Sequence, residues 1–167
     1  FFPPGYPLAL HLIFLGGEPS TLLRIQLVQG ILSGLCVFPI AAIGRYMAGA
    51  RVGLIAAAFY AVSRLSVLQS AMIYSEALAS VAIILSFFAF VRLCAHPSMM
   101  RAALVGVAVA AAGHFRTNLL TVLGAYGLLT LVPLRNTGLA ALQGRKRLGL
   151  AAVTGMACVL MLLPWSA

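Results

Sequence analysis

The chain reads as an all-α, polytopic transmembrane helix bundle. Three observations predict it. Of the 167 residues, 63% are hydrophobic and only 8% are charged. The mean hydropathy is +1.09. The apolar residues also fall in runs close to the roughly 20 that a helix needs to cross a hydrocarbon core of about 30 Å. A soluble domain of this size would not carry so much apolar surface in water. Residues 1–167 form one membrane domain, with no repeat of fixed period, no low-complexity tract and no soluble domain. The opening at Phe1-Phe2 without a methionine, and the stop soon after Pro164-Trp165, suggest a fragment of a longer chain.

The first segment, about 3–16, is opened by Pro3-Pro4-Gly5-Tyr6-Pro7 and closed by Gly16-Gly17-Glu18-Pro19. It is too short to cross, so it reads as an interfacial helix along the outer surface, with proline at its start where a missing N–H is harmless. Spans follow at about 21–43, 52–73, 77–91 and 148–163. In the first span, Gly30 and Gly34 form a small-xxx-small pair that predicts close helix packing, and Pro39 predicts a kink. Residues 102–134 are interrupted by Gly113-His114-Phe115-Arg116-Thr117-Asn118. As one helix they would be roughly 50 Å long, too long for one crossing, yet they fall short of the roughly 40 residues of two. The spacing predicts a short helical hairpin, 102–113 and 118–134, with its tip at the membrane surface.

Charge placement tests this topology, because short cytoplasmic loops hold the excess of Lys and Arg. With the hairpin, Arg45, Arg51, Arg92, Arg101, Arg135, Arg145, Lys146 and Arg147 share one side, eight of the eleven basic residues. Arg24, Arg64 and Arg116 fall on the other side or in the membrane. Both acids, Glu18 and Glu76, then lie on the outer face with Tyr6, His114, Arg116 and Trp165. The basic residues are scattered singly apart from Arg145-Lys146-Arg147, which is the spacing of membrane loops; no nucleic-acid groove is indicated. Cys36, Cys94 and Cys158 show neither CxxC nor Cys/His spacing, so no disulfide framework and no zinc site is expected.

Glu76, one of two acids in the chain, stands in Tyr74-Ser75-Glu76 at the start of an apolar run. An ionisable group at a membrane boundary must offset its desolvation, which makes it a site candidate for a cation or a polar substrate. Capping is the other reading: the Ser75 hydroxyl would accept backbone N–H bonds and the carboxylate would complement the helix dipole. Arg116, at the hairpin tip, has the planar fork that grips phosphate oxygens in pairs, or it snorkels to the headgroups. His114 lies two residues away, where it could assist or simply line the surface. Pro4 and Tyr6 fix how the first segment approaches the membrane, with Tyr6 suited to the aromatic belt. Arg64 inside its apolar run reads as a snorkelling residue, and Arg145-Lys146-Arg147 as an anchor to anionic lipid. No Walker loop, GxGxxG, HExxH or GxSxG pattern occurs, so no nucleotide cofactor is expected.

Taken in order, the PPGYP string, the Gly44-Arg45 to Arg51 turn, Tyr74-Ser75-Glu76, Phe115-Arg116-Thr117 and the terminal Leu163-Pro164-Trp165 resemble the membrane half of GT-C glycosyltransferases. The likeness is to the dolichyl-phosphate-mannose protein mannosyltransferase and aminoarabinose-transferase group, and it covers nearly the whole chain through short motifs. The resemblance implies a GT-C-like bundle in the plasma (inner) membrane. It implies inverting transfer of a sugar from a polyprenyl-phosphate donor to a protein, lipid or glycan acceptor at the extracytoplasmic face. Glu76 matches the family's second-loop acid, which positions a divalent metal ion or the donor phosphate, and Arg116 matches the basic tip facing the lipid phosphate. Pro4, Tyr6, Tyr74 and His114 match the cavity wall. The family's catalytic aspartate would precede Phe1, so no catalytic residue is expected within these residues. Arg116 is followed by Thr117-Asn118 where the family has proline, and Arg64 stands where the family often has proline. Two other classes fit the same charges: a transporter or flippase of lipid-linked glycans, and a noncatalytic membrane assembly subunit.

Overall fold

The computed structural model describes residues 4–14, 21–72, 74–132 and 137–165. These residues are all-helical, with no strand among them. The predicted positions Glu18 and Arg135 lie outside the described residues, as does the side chain of Trp165. The α-helices are α1 (Gly5–Phe14), α2 (Thr21–Leu35), α3 (Val37–Ala48), α4 (Ala50–Ala61), α5 (Arg64–Ala71), α6 (Ser75–Ala95), α7 (Met99–Phe115), α8 (Thr121–Leu131) and α9 (Gly144–Leu162). A short 3-10 turn, Thr117–Leu120, joins α7 to α8.

Two stretches, Leu22–Ala48 and Ser75–Ala95, are long and apolar enough to cross a membrane. The first is interrupted at Cys36, whose N–H bonds to Ser33 three residues back. Pro39 lies just beyond: it has no N–H to give to Leu35, and its ring crowds that carbonyl, so the ladder breaks within the preceding turn. The single helix expected over 52–73 is instead two, α4 and α5. Ser63 is extended between them, and Arg64 opens α5 as an exposed residue. The break places a guanidinium at a helix end, where it is solvated, and removes it from the middle of an apolar helix.

α6 is the central element and packs against α7, α3 and α2, while α7 packs along α9. The core gathers Phe90 and Leu93 of α6, Val105 and Val109 of α7, Tyr126 of α8 and Cys158 of α9. The Phe90 and Tyr126 rings stack at 4.3 Å with 5° between their planes. The Tyr126 hydroxyl is satisfied by Ser86 Oγ at 3.3 Å, so the ring can be buried without an orphaned polar tip. On α9, Thr154 shares its hydroxyl proton between Ala102 of α7 and Leu150 of its own helix.

Glycines allow close helix crossings at two places in the bundle. Gly44 of α3 and Gly53 of α4 meet backbone to backbone, and a Cβ on Gly44 would lie 2.7 Å from the Gly53 Cα. Between them Gly49 turns the chain at φ 95°, a conformation that side-chain-bearing residues rarely adopt. Gly106 of α7 lies against Thr154 and Ala157 of α9. The expected packing pair is a correction: a Cβ on either Gly30 or Gly34 would meet nothing within 4 Å.

Two ends result. Arg116 reverses the chain between α7 and α8, and the Arg147 guanidinium donates to the Leu131 carbonyl, so α8 returns to the end where α9 begins. Glu76, His114 and Arg116 gather at one end. Arg45, Arg92 and His96 gather at the other.

Candidate functional site

The site is built where α1, the start of α6 and the end of α7 meet. Glu76 stands in the first turn of α6, where its charge complements the helix dipole. Tyr74 occupies the N-cap position without a side-chain capping bond, and Ser75 is already helical, so the serine cap allowed by the sequence does not form. Arg116 is held by the backbone on both sides: its N–H closes the last turn of α7 on Ala112, and its carbonyl receives Leu119 N–H. Its own conformation is extended, which throws the side chain outward from the reversal. The two groups meet: Arg116 Nη1 lies 3.7 Å from Glu76 Oε1, with side chains 50% and 38% exposed.

α1 is seated on this pair by a close approach. A Cβ on Gly5 would fall 2.5 Å from the His114 carbonyl oxygen, so only glycine lets α1 lie against the end of α7. Beside the contact is a cavity of about 240 Å³ lined by Pro4, Gly5, Leu8, Ala111, His114 and Phe115, almost wholly apolar. His114 Nε2 is 3.2 Å from the Met161 carbonyl, which links the end of α7 to α9.

Tyr6 faces α2. Its hydroxyl accepts from Gln29 Nε2 at 3.5 Å. Burial raises the phenol above its ordinary range; the Gln29 bond works against this, and the negative charge of Glu76 adds to it. Tyr6 therefore stays a neutral hydroxyl at physiological pH. Gln29 was not singled out from the sequence. It is 1% exposed, and among the described residues its Oε1 has no hydrogen-bond partner. A buried amide oxygen without a partner costs about 1–3 kcal/mol.

Of the predicted residues, Glu76, Arg116 and Tyr6 are thus brought together electrostatically, and Pro4 and His114 line the small cavity. Tyr74 does not line it; its side chain is 60% exposed. Among the described residues, no group of three or more His, Cys, Asp or Glu could hold a metal ion. Among the described residues Glu76 is the one carboxylate, and it faces a guanidinium. A guanidinium placed there has the planar fork that grips a pair of phosphate oxygens.

Comparison with protein-family models, with curated proteins and with solved structures returns no match.

Proposed function

We propose that the chain is the multi-pass, membrane-embedded part of a GT-C-like glycosyltransferase, with its donor-phosphate site at the Glu76–Arg116 pair. The observation that carries this reading is the meeting of the two rare charges at 3.7 Å beside the PPGYP segment. Membrane embedding is supported by the two long apolar stretches and by large apolar side chains that face outward, among them Phe38, Phe59 and Leu54.

In sugar transfer, an acceptor hydroxyl attacks the anomeric carbon, the bond from that carbon to the carrier's phosphate oxygen breaks, and the leaving phosphate gains negative charge. Arg116 presents two parallel N–H donors to that charge. Glu76 holds the guanidinium in place before the donor arrives. Tyr6, kept neutral, can hydrogen-bond a sugar hydroxyl. The small apolar cavity at Pro4 and His114 accepts the first carbons of the carrier chain. None of these residues is assigned the acceptor proton, so donor binding is the readout for them.

The test is binding of a polyprenyl phosphate to the detergent-solubilised chain. Arg116→Ala should weaken it by about tenfold or more, since a charge-assisted bond contributes roughly 1.5–3 kcal/mol. Glu76→Gln should cost less, on the order of fivefold, because it removes orientation and leaves the charge. Unchanged binding in both variants would leave the pair as a tie between α6 and α7 and would favour a noncatalytic subunit.

A further inference from the structure

The opposite end of the molecule carries a second feature that the sugar-transfer reading does not use. Between the last turns of α3 and α6 lies a cavity of about 660 Å³, lined by Arg45, Tyr46, Phe88, Arg92 and His96 among others. That volume is in the range of small-molecule sites. We propose that this cavity is an anion site for a phosphate-bearing group, a phosphate mono- or diester.

Its charge is one-sided. Neither Arg45 nor Arg92 has a carboxylate within ion-pair distance among the described residues; the described carboxylate, Glu76, is engaged with Arg116. Glu76 also lies near the other end of α6, about 24 Å away along the helix axis. Arg45 and Arg92 come from two separate helices and both line this space, an open groove in which both are exposed and from whose two sides a phosphate could be gripped. Arg92 is partly organised in advance, with its guanidinium carbon 6.0 Å from the centre of the Phe88 ring. Arg101, which does not line the space, brings a third positive charge next to His96, whose carbonyl accepts from its Nη1. The Tyr46 hydroxyl and the His96 ring supply further donors.

Arginines in the last turn of a helix also complement its dipole, and basic residues anchor membrane proteins to anionic lipid. Neither role requires a cavity. Arg145 and Lys146, which are exposed on the first turn of α9, can serve as anchors without one. Those two residues therefore provide the control.

The experiment is a titration of the delipidated, detergent-solubilised chain with short-chain phosphatidylglycerol, with phosphatidylcholine and, separately, with inorganic pyrophosphate. A preference for phosphatidylglycerol that falls about tenfold or more in Arg45→Ala/Arg92→Ala, but by no more than about threefold in Arg145→Ala/Lys146→Ala, supports the site with a lipid source. Pyrophosphate binding that competes with the lipid and is lost in the same variant supports the site with a soluble phosphoanion as its ligand. Equal losses in the two double variants would reduce the effect to surface charge and overturn the proposal. Absence of binding to both phosphatidylglycerol and pyrophosphate would overturn it too. Should the alanine variant fail to fold, Arg45→Lys/Arg92→Lys decides: it keeps the charge and loses the paired donors, so undiminished affinity would sink the site.

Discussion

Arg116 and Glu76 are both substantially exposed, and an ion pair of that kind contributes roughly 0–1 kcal/mol to stability. The pair is therefore a poor explanation for its own presence, and function and folding should separate there. Arg116→Ala should change thermal stability by no more than about 1 kcal/mol while it weakens polyprenyl-phosphate binding. A large stability loss with unchanged binding would reverse the assignment. Gln29 makes the complementary case. Its buried Oε1 has no partner among the described residues, so Gln29→Leu should keep stability or raise it, by up to about 1–3 kcal/mol, as read by thermal unfolding. Tyr6 adds a pH dependence. Its phenol is raised mainly by burial, so the folded state prefers the neutral form. The stability it contributes is fully present below the ordinary tyrosine range near pH 10 and is lost as pH rises through the higher folded value. Tyr6→Phe should abolish that alkaline loss, as read by unfolding at stepped pH. Glu76 was legible in the sequence because acids are rare in this chain, and Arg116 because it interrupts an apolar run. Gln29 was not, because a glutamine in an apolar helix gives no sign of what faces it until α1 is folded back onto α2.

At the scale of elements, the glycines separate what the sequence shows from what only packing shows. Gly30 and Gly34 match a recognised helix-packing pattern, yet they face open space. Gly106, in the less conspicuous small-residue series Ala102, Gly106 and Ala110, lies at the α7–α9 crossing. Gly106→Ala should therefore destabilise the fold by about 1–3 kcal/mol through overpacking. Gly30→Ala should be neutral or stabilising by roughly 0.5–1 kcal/mol, from helix propensity alone. Melting temperatures of the two variants side by side check this, and equal effects would mean that the α7–α9 crossing is looser than described. A local glycine pattern specifies a small surface on one helix but not its partner, whereas the Gly44–Gly53 and Gly106 contacts depend on how two helices cross. The break at Ser63 has a similar origin. Hydropathy over 52–73 reads as continuous, and only the position of Arg64 at the start of α5 shows that the apolar run is divided. Cys36 could be placed more closely from sequence, because Pro39 removes a specific ladder bond and the interruption follows in the preceding turn.

Across the whole molecule, the all-helical class was legible from composition alone, and the polarity of its two ends was legible from where the charges fall between apolar runs. The pairing of helices was not, since apolar faces of similar character do not name their partners. The end-to-end separation of Glu76 from Arg45 and Arg92 makes the proposed membrane reading testable without knowing any substrate. Cys36, Cys94 and Cys158 are all buried, so the chain brings little background reactivity to thiol labelling. Tyr74 lies at the Glu76 end and Met100 at the Arg92 end, and both side chains are well exposed, at 60% and 76%. With the chain in sealed, oriented vesicles, Tyr74→Cys and Met100→Cys should react with a membrane-impermeant thiol reagent from opposite sides. The Met100→Cys variant should label from the side that holds the excess of Lys and Arg, which the charge rule makes cytoplasmic. Labelling of both from one side would mean that α6 lies along the bilayer or outside it. The Glu76–Arg116 pair and the Arg45–Arg92 cavity would then share one aqueous compartment, and a phosphate bound in either would be drawn from the same pool.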